Sequence, residues 1–424
     1  MRPHEQLDKF FGEFFRLIRQ AEPSMHNAFL KRAEAEFKRL GWREEIPSNV
    51  ENILIVRLDE FGDMVLTSGF IREVRKNFPK ARITLVVKPT ARPMVELCPY
   101  VNEVLTFDIN KLNRNLPDMF ESLAVFCRDN LWQKHFSIAF SPKWDGDIIP
   151  GIVMAWLSGA RERVGYGFTT QKNWRNDIPQ NFIEQDNLFL TKNIVEPREV
   201  IAMPERHLYL LEAVGLKVNQ MHDELWFGEA DILQACELLK DIPSACKKVL
   251  LGIGGNNLSN KYPVEKYLVA LKELLKKNLV FVIVGGKSEL EDANFIEQNM
   301  PRGKVLNLVG KTTLRETEAV ISLTDFYLGN ETGVMHMAAA AQVPVLALYR
   351  EAQDRENILP GVFSNFRKFP PWQTKAVVLR PDHPLGDCAA LPPTYCHCHH
   401  REPHCITQIT PQEIIEAFEV LETL

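Results

Sequence analysis

The chain has no surplus of positive charge: 50 Lys and Arg stand against 55 Asp and Glu, a net charge of −5. A general nucleic-acid binder carries the opposite imbalance, so that class is set aside, although local basic pockets stay open. Nor is there an apolar run of the roughly eighteen residues that crossing a bilayer takes. The opening stretch MRPHEQLDKFFGEFF lacks the apolar core and cleavage site of a signal peptide, and a cytoplasmic location is expected. The cysteines make no disulfide framework. Cys98, Cys127, Cys236 and Cys246 are scattered, whereas Cys388, Cys396, Cys398 and Cys405 crowd into eighteen residues. A Walker motif and the six-residue glycine fingerprint of dinucleotide-binding folds are also missing.

What is present is a soluble globular composition, 45% hydrophobic and 25% charged, in a chain whose 424 residues exceed the usual single core. Phe10, Phe11, Phe14, Phe15 and Ile18 recur at helical spacing, and Ala28, Phe29, Ala33, Phe37 and Leu40 continue the pattern after Pro23. In these first 47 residues nine basic side chains face eight acidic ones, which favours packing on the protein's own body or on a second subunit over a membrane surface. From residue 52 the rhythm becomes strand, loop, helix, strand: NILIV, RLDEFGD, MVLTSGFIREVRKNF, RITLVV, then NEVLTFD and FSIAFSP. Residues 147 to 164 read as helical, and the polar stretch 165 to 182 as an exposed loop. A second series follows in KKVLLGIG, LVFVIVGG, KVLNLVG, DFYLGN and VPVLALY, with helices between them. The expectation is an N-terminal helical extension (1–47), two doubly wound α/β domains (48–220 and 221–385), and a Cys/His-rich segment with a terminal helix (386–424). In that helix Thr410 and Glu413 have capping-box spacing and Pro411 the first helical position. Ligands of open parallel sheets sit beyond the strand C-termini, so the loops at 58–63, 254–262, 285–289 and 329–336 are expected to converge on one cleft.

Those loops hold the candidate chemistry. RLDEFGDMVLT places Asp59, Glu60 and Asp63 between a strand and a helix, where a carboxylate suits a general base and Asp63 also suits an N-cap. GIGGNNLSNKYP offers backbone and side-chain donors, Asn256 and Asn257 among them, plus the charge of Lys261, a set able to hold a diphosphate. In VGGKSELE, Glu289 could accept from a ribose hydroxyl. GNETGVMHMAAAAQVPVLALYR starts a helix with Glu331, Thr332 and Gly333 and puts His336 one turn in. Helix starts attract anions, and they also commonly need only a cap and a packing glycine.

Taken in order, the motif around Asp63, RVGYG, the loop ending NKYP, VGG with a nearby Glu, and GNETGVMHMAAAAQVPVLALY resemble glycosyltransferase family 9, the bacterial heptosyltransferase family of lipopolysaccharide core synthesis. The resemblance covers roughly residues 50 to 420. It implies the GT-B architecture, two Rossmann-like domains with the active site between them. It also implies an inverting, metal-independent transfer from a nucleotide-activated sugar, usually ADP-heptose, to a glycan or glycolipid acceptor. By position, Asp63 matches the general base and Lys261 the lysine that pairs with the donor diphosphate. Asn256 and Asn257 match the diphosphate loop, Glu289 the ribose-binding acid, and Thr332, Gly333 and His336 the donor-binding turn. Glu331 departs from the family, which commonly has Asp there, so another donor sugar stays open.

CAALPPTYCHCHHREPHC sets Cys388, Cys396, Cys398 and Cys405 beside His397, His399, His400 and His404. Four thiolates suit a tetrahedral zinc or iron, and relatives that modify autotransporter proteins also carry C-terminal cysteines, some holding iron; free thiols are the other reading. Such a metal would be structural, with no cofactor required for catalysis. The acceptor stays unnamed: lipid-linked sugar, polysaccharide or protein hydroxyl. Peripheral association with the inner face of the inner membrane and a homo-oligomer are compatible with the sequence. The rival classes are a nucleotide-sugar epimerase and a non-catalytic sugar-nucleotide-binding scaffold.

Overall fold

In a computed structural model of the protein, the described residues are Ala35, 50–112, 116–144, 149–166, 189–195, 199–255, 258–355, 364–390, 400 and 402–424. The helices expected within 1–47, Ala35 apart, lie outside them. So do residues 167–182 of the expected loop, Asn256, Asn257, Cys396 and Cys398. The chain forms two compact units. The first takes in Met1–Glu60, Phe70–Val200 and Glu205–Gln220, the second Phe61–Gly69, Ile201–Pro204 and Met221–Leu424.

In the first unit, β1 (Asn52–Arg57), β2 (Arg82–Val87), β3 (Glu103–Thr106), β4 (Ile138–Ser141), β5 (Glu162–Tyr166) and β6 (Lys192–Ile194) form one parallel sheet in the order β3-β2-β1-β4-β5-β6. Ile53, Leu54 and Ile55 are wholly buried, as a strand covered on both faces must be, which is why NILIV is continuously apolar. Leu54, Val56, Leu123, Ile152 and Trp156 belong to one core beneath the helices Leu116–Asn130 and Ile149–Leu157. The helical stretch expected over 147–164 stops at Leu157. Gly159 takes φ 80, a left-handed value that ends a helix, and the chain re-enters the sheet as β5.

The second unit repeats the plan. Here β7 (Lys247–Gly252), β8 (Leu279–Ile283), β9 (Val305–Asn307), β10 (Phe326–Asn330), β11 (Val345–Leu348) and β12 (Ala376–Leu379) are parallel in the order β12-β11-β10-β7-β8-β9. Its core runs from Val249, Leu251, Phe281 and Leu328 to the terminal helix Pro411–Thr423, which contributes Ile414, Phe418 and Leu421. The capping box at Thr410 and Glu413 forms: Glu413 N donates to Thr410 Oγ1 at 3.2 Å and Thr410 N to Glu413 Oε2 at 2.7 Å. Strand order reverses between β1 and β4 in one sheet and between β7 and β10 in the other. These are the switch points where doubly wound sheets take ligands. No helix among the described residues is long and apolar enough to cross a membrane.

Candidate functional site

At the switch point of the second unit the chain leaves β10 through Asn330, a residue the sequence did not mark. Its buried amide is fully used. Nδ2 donates to Ile253 O and Gly254 O at 2.9 Å each, while Oδ1 accepts from Tyr262 N at 3.2 Å and the Tyr267 hydroxyl at 2.9 Å. Asn330 therefore fixes the loop after β7 to the turn after β10. From that turn the helix Gly333–Ala340 starts with Thr332 in the N-cap position, extended at φ −154, yet the Thr332 side chain makes no capping bond. Its hydroxyl bonds the buried Tyr327 phenol instead. His336, one turn on, is 4% exposed; Nε2 lies 3.5 Å from Glu331 Oε1 and Nδ1 has no partner within the described residues. The Asn260 side-chain oxygen in the loop after β7 is likewise buried and unpaired there. An uncapped helix start beside an unsatisfied imidazole is a place prepared for a polar ligand.

Lys261 reaches this region from the loop after β7, with Nζ 3.5 Å from Glu289 Oε1 and 3.8 Å from Asp292 Oδ2. Glu289 itself is buried under the glycine turns. Gly286 N donates to Oε2 at 2.9 Å, Ser288 Oγ to Oε1 at 2.7 Å, and a Cβ on Gly254 would stand 3.3 Å from its carboxyl carbon. From β11 comes a group the sequence reading passed over, Arg350, whose only signal was a cation directly beyond a buried strand. Its Nη1 donates to Ser259 Oγ at 2.6 Å and Nε lies 3.4 Å from Glu351 Oε1, so the turn preceding Lys261 is anchored to the next strand end. Burial raises the Glu351 carboxyl above its usual range despite Arg350, and the neighbouring Glu331 adds to the rise.

Asp63 belongs to the same unit. It is the third residue of the helix Phe61–Val65, inside the first turn rather than at an N-cap. Thr67 Oγ1 donates to Asp63 O at 2.7 Å and Ser68 Oγ to Val65 O at 2.6 Å; these hydroxyls compete for the last carbonyls, and a second helix begins at Ser68. The short helix lies on the start of Gly333–Ala340. A Cβ on Gly62 would stand 3.0 Å from Gly333 Cα and 3.8 Å from His336 Cδ2, and one on Gly333 only 2.1 Å from the Phe61 ring. The space that glycine leaves at position 333 is thus filled by the helix carrying Asp63. Gly333→Ala should accordingly destabilise the protein by about 1 to 3 kcal/mol, the usual cost of overpacking. Chemical denaturation checks this, and adding Phe61→Ala should recover part of the loss.

The other two acids of that loop are committed elsewhere. At the switch point of the first unit Asp59 is buried between Arg57, with Nε at 3.2 Å, and Lys143; Glu60 Oε1 pairs with Lys88 Nζ at 2.6 Å. Burial alone would raise the Asp59 carboxyl, but Arg57 and Lys143 outweigh it and hold it below its usual value, which makes it a poor proton acceptor. Of the clustered cysteines, Cys388 and Cys405 converge on one imidazole: His404 Nδ1 is 3.5 Å from Cys388 Sγ and 3.4 Å from Cys405 Sγ.

Two parallel, doubly wound sheets, one in each unit, are the architecture of the GT-B class. The Glycosyltransferase family 9 (heptosyltransferase) model matches residues 179–383. Lipopolysaccharide heptosyltransferase 3 of Escherichia coli is 21% identical over 294 residues, 68% of this chain and 80% of that one. Among solved structures, the family 9 glycosyltransferase of Veillonella parvula superposes with TM-score 0.69 at 19% identity, covering 89% of this chain and 99% of the other. The E. coli ADP-heptose lipopolysaccharide heptosyltransferase II gives TM-score 0.62 at 19% identity, over 87% and 98%. The family model, which spans just under half of the chain, and these relatives mark a similarity to glycosyltransferase family 9.

Proposed function

We propose that the protein transfers heptose from ADP-heptose, with inversion, to a hydroxyl of a bacterial surface-glycan acceptor such as lipopolysaccharide core. The observation that carries this reading is the buried His336 Nδ1, without a partner among the described residues, beside the start of Gly333–Ala340, where Thr332 makes no side-chain cap. The names of the relatives support the choice of donor and acceptor. Asp63 takes the proton of the acceptor hydroxyl as its oxygen attacks the anomeric carbon. The bond from that carbon to the diphosphate oxygen breaks, and the negative charge of departing ADP is met by Lys261 and the N–H groups of the helix start. Lys261 is poised by Glu289 and Asp292, and Arg350 steadies the turn before it through Ser259. Asn256 and Asn257 extend the diphosphate loop, Glu289 serves the ribose, and Glu331, Thr332 and His336 face the sugar and phosphates. Residues 221–385 act as the donor domain and 48–220 as the acceptor domain, at the cytoplasmic face of the inner membrane. The chain's own groups carry every step, with no cofactor.

Calorimetry with ADP, GDP, UDP and their sugars tests the donor. Selective binding of ADP or ADP-heptose is expected, weakened roughly ten- to hundredfold in Lys261→Ala, the scale of a charge-assisted hydrogen bond. Preference for another nucleotide would overturn the heptose assignment. Absence of binding to every nucleotide and nucleotide sugar of the panel would overturn the transferase reading, whereas binding without transfer to any acceptor would leave the scaffold reading in its place. The longer Glu331 favours a second reading, the same transfer with a different sugar, which the sugar panel separates from the first.

A further inference from the structure

A buried phenol stands at the centre of the turn after β10. Gly252 and Gly329 are register partners on the adjacent strands β7 and β10, and a Cβ on either would collide with the Tyr327 hydroxyl. Tyr327 precedes Gly329 by two residues, so its side chain leaves the same face of the strand. The two glycines leave a trough there, and the wholly buried ring lies along it towards the strand end. Its hydroxyl donates to Asn330 O at 2.7 Å. Burial raises the phenol above its usual pKa, so the proton stays in place. A phenol has only one proton to give. With that proton on Asn330 O, the bond between Tyr327 and Thr332 runs the other way, and Thr332 Oγ1 is its donor.

We infer that Tyr327 keeps the start of the helix Gly333–Ala340 open for the donor diphosphate by holding the Thr332 hydroxyl away from it. The inference rests on reading that helix start as the seat of the donor. Threonine at an N-cap ordinarily turns its oxygen onto the N–H two or three residues on, which here means Val334 or Met335. Thr332 has the extended N-cap backbone that this needs, φ −154 and ψ 172, yet it makes no such bond because its hydroxyl is taken by Tyr327. A capping oxygen and a phosphate oxygen compete for the same N–H groups, and a turn of one side chain separates the two arrangements. The phenol settles that competition in favour of the ligand. His336, one turn into the same helix, marks the turn as ligand-facing: it is 4% exposed, and its Nδ1 has no partner among the described residues. Because Tyr327 also holds the carbonyl of Asn330, whose amide fastens the loop after β7, the Thr332 hydroxyl and that loop are set by one group. Tyr327 acts through Thr332 and is a positioning residue.

Calorimetry with ADP on the full chain tests this. Tyr327→Phe keeps the ring in its trough and frees Thr332 to cap the helix, so ADP should bind about two- to thirtyfold more weakly, the weight that an N-cap side chain carries. Adding Thr332→Val, which has the same shape and no capping oxygen, should recover part of that affinity. Removal of a second hydroxyl then tightens binding, which a general loosening of the turn in Tyr327→Phe would not produce. Tyr327→Phe that binds ADP as wild type does, or a double variant that binds no better than Tyr327→Phe, would overturn the inference and leave the donor site standing. Wild type that binds no nucleotide or nucleotide sugar would instead overturn the donor reading, and the inference with it. Should Tyr327→Phe fail to fold, crystal structures of the wild type with and without ADP decide. The Thr332 hydroxyl is expected on Tyr327 in both, with a phosphate on the N–H groups of Val334 and Met335 in the complex. A Thr332 oxygen turned onto those N–H groups in the free protein would overturn the inference.

Discussion

Asp63→Asn is expected to bind the donor nearly as well as wild type and to transfer it some 10² to 10⁴ times more slowly, the range that a positioned general base contributes. The amide keeps the size of the carboxylate and leaves the helix Phe61–Val65 on its partner glycine, so a fall in kcat with an unchanged donor dissociation constant isolates the proton transfer. Calorimetry of the donor beside single-turnover transfer measures both quantities. An unchanged rate would remove Asp63 from the mechanism, and Asp59 would not replace it: that carboxylate is held between Arg57 and Lys143.

Asp63 also shows what could be read from sequence. Its place beyond a continuous apolar strand was visible because a parallel strand buried on both faces leaves no polar alternation, and the same signal gave β1, β2, β4, β7, β8, β10 and β11. All four edge strands, β3, β6, β9 and β12, have three or four residues with partial exposure; β3 and β9 were placed by the strand and helix rhythm around them, whereas β6 follows the polar stretch 165–182 and β12 lies beyond residue 350, where the sequence offers no such rhythm. The apolar run after residue 147 looked helical through 164 because periodicity cannot tell a buried helix from the buried strand that follows it; only the left-handed Gly159 separates them, and β5 was hidden in that run. Residue types at the site were legible as loop chemistry after strands. Their partners were not. Nothing local distinguishes Asn330 from a solvated loop asparagine, since its four bonds go to residues 63 to 77 positions away. The cysteine spacing could not say that a histidine stands between two of the sulphurs.

The largest effect on stability should come from Glu318, in the helix Leu314–Ser322. It is 1% exposed, and burial lifts its carboxyl to about 8; the Trp226 backbone amide and Arg315 offset only part of this, and Asp231 adds to it. The folded value lies above the ordinary 4.5, so between these two pH values the native state holds a proton that the unfolded chain has released. Stability must therefore fall as pH rises through that window, by roughly 3 kcal/mol between pH 5 and pH 8 at 1.36 kcal/mol per unit. Glu318→Gln removes the titration. Urea denaturation should find the variant more stable than wild type at pH 8 and nearly equal to it at pH 5. Parallel pH dependence in the two proteins would show that Glu318 ionises without penalty.

The helix Phe61–Val65 has a consequence for anyone who divides this protein. The second unit is not one stretch of gene: residues 61 to 69 belong to it, although they are encoded within the first half of the chain. An expression fragment cut at Gln220 and Met221 would keep the loops proposed to hold the nucleotide, leave the glycine face at Gly333 without the Phe61 ring that covers it, and lack the carboxylate proposed as base. Chimaeras built to exchange donor preference between relatives should therefore graft residues 61 to 69 together with 221 onward. Otherwise the joint falls between a glycine and the aromatic ring shaped to it.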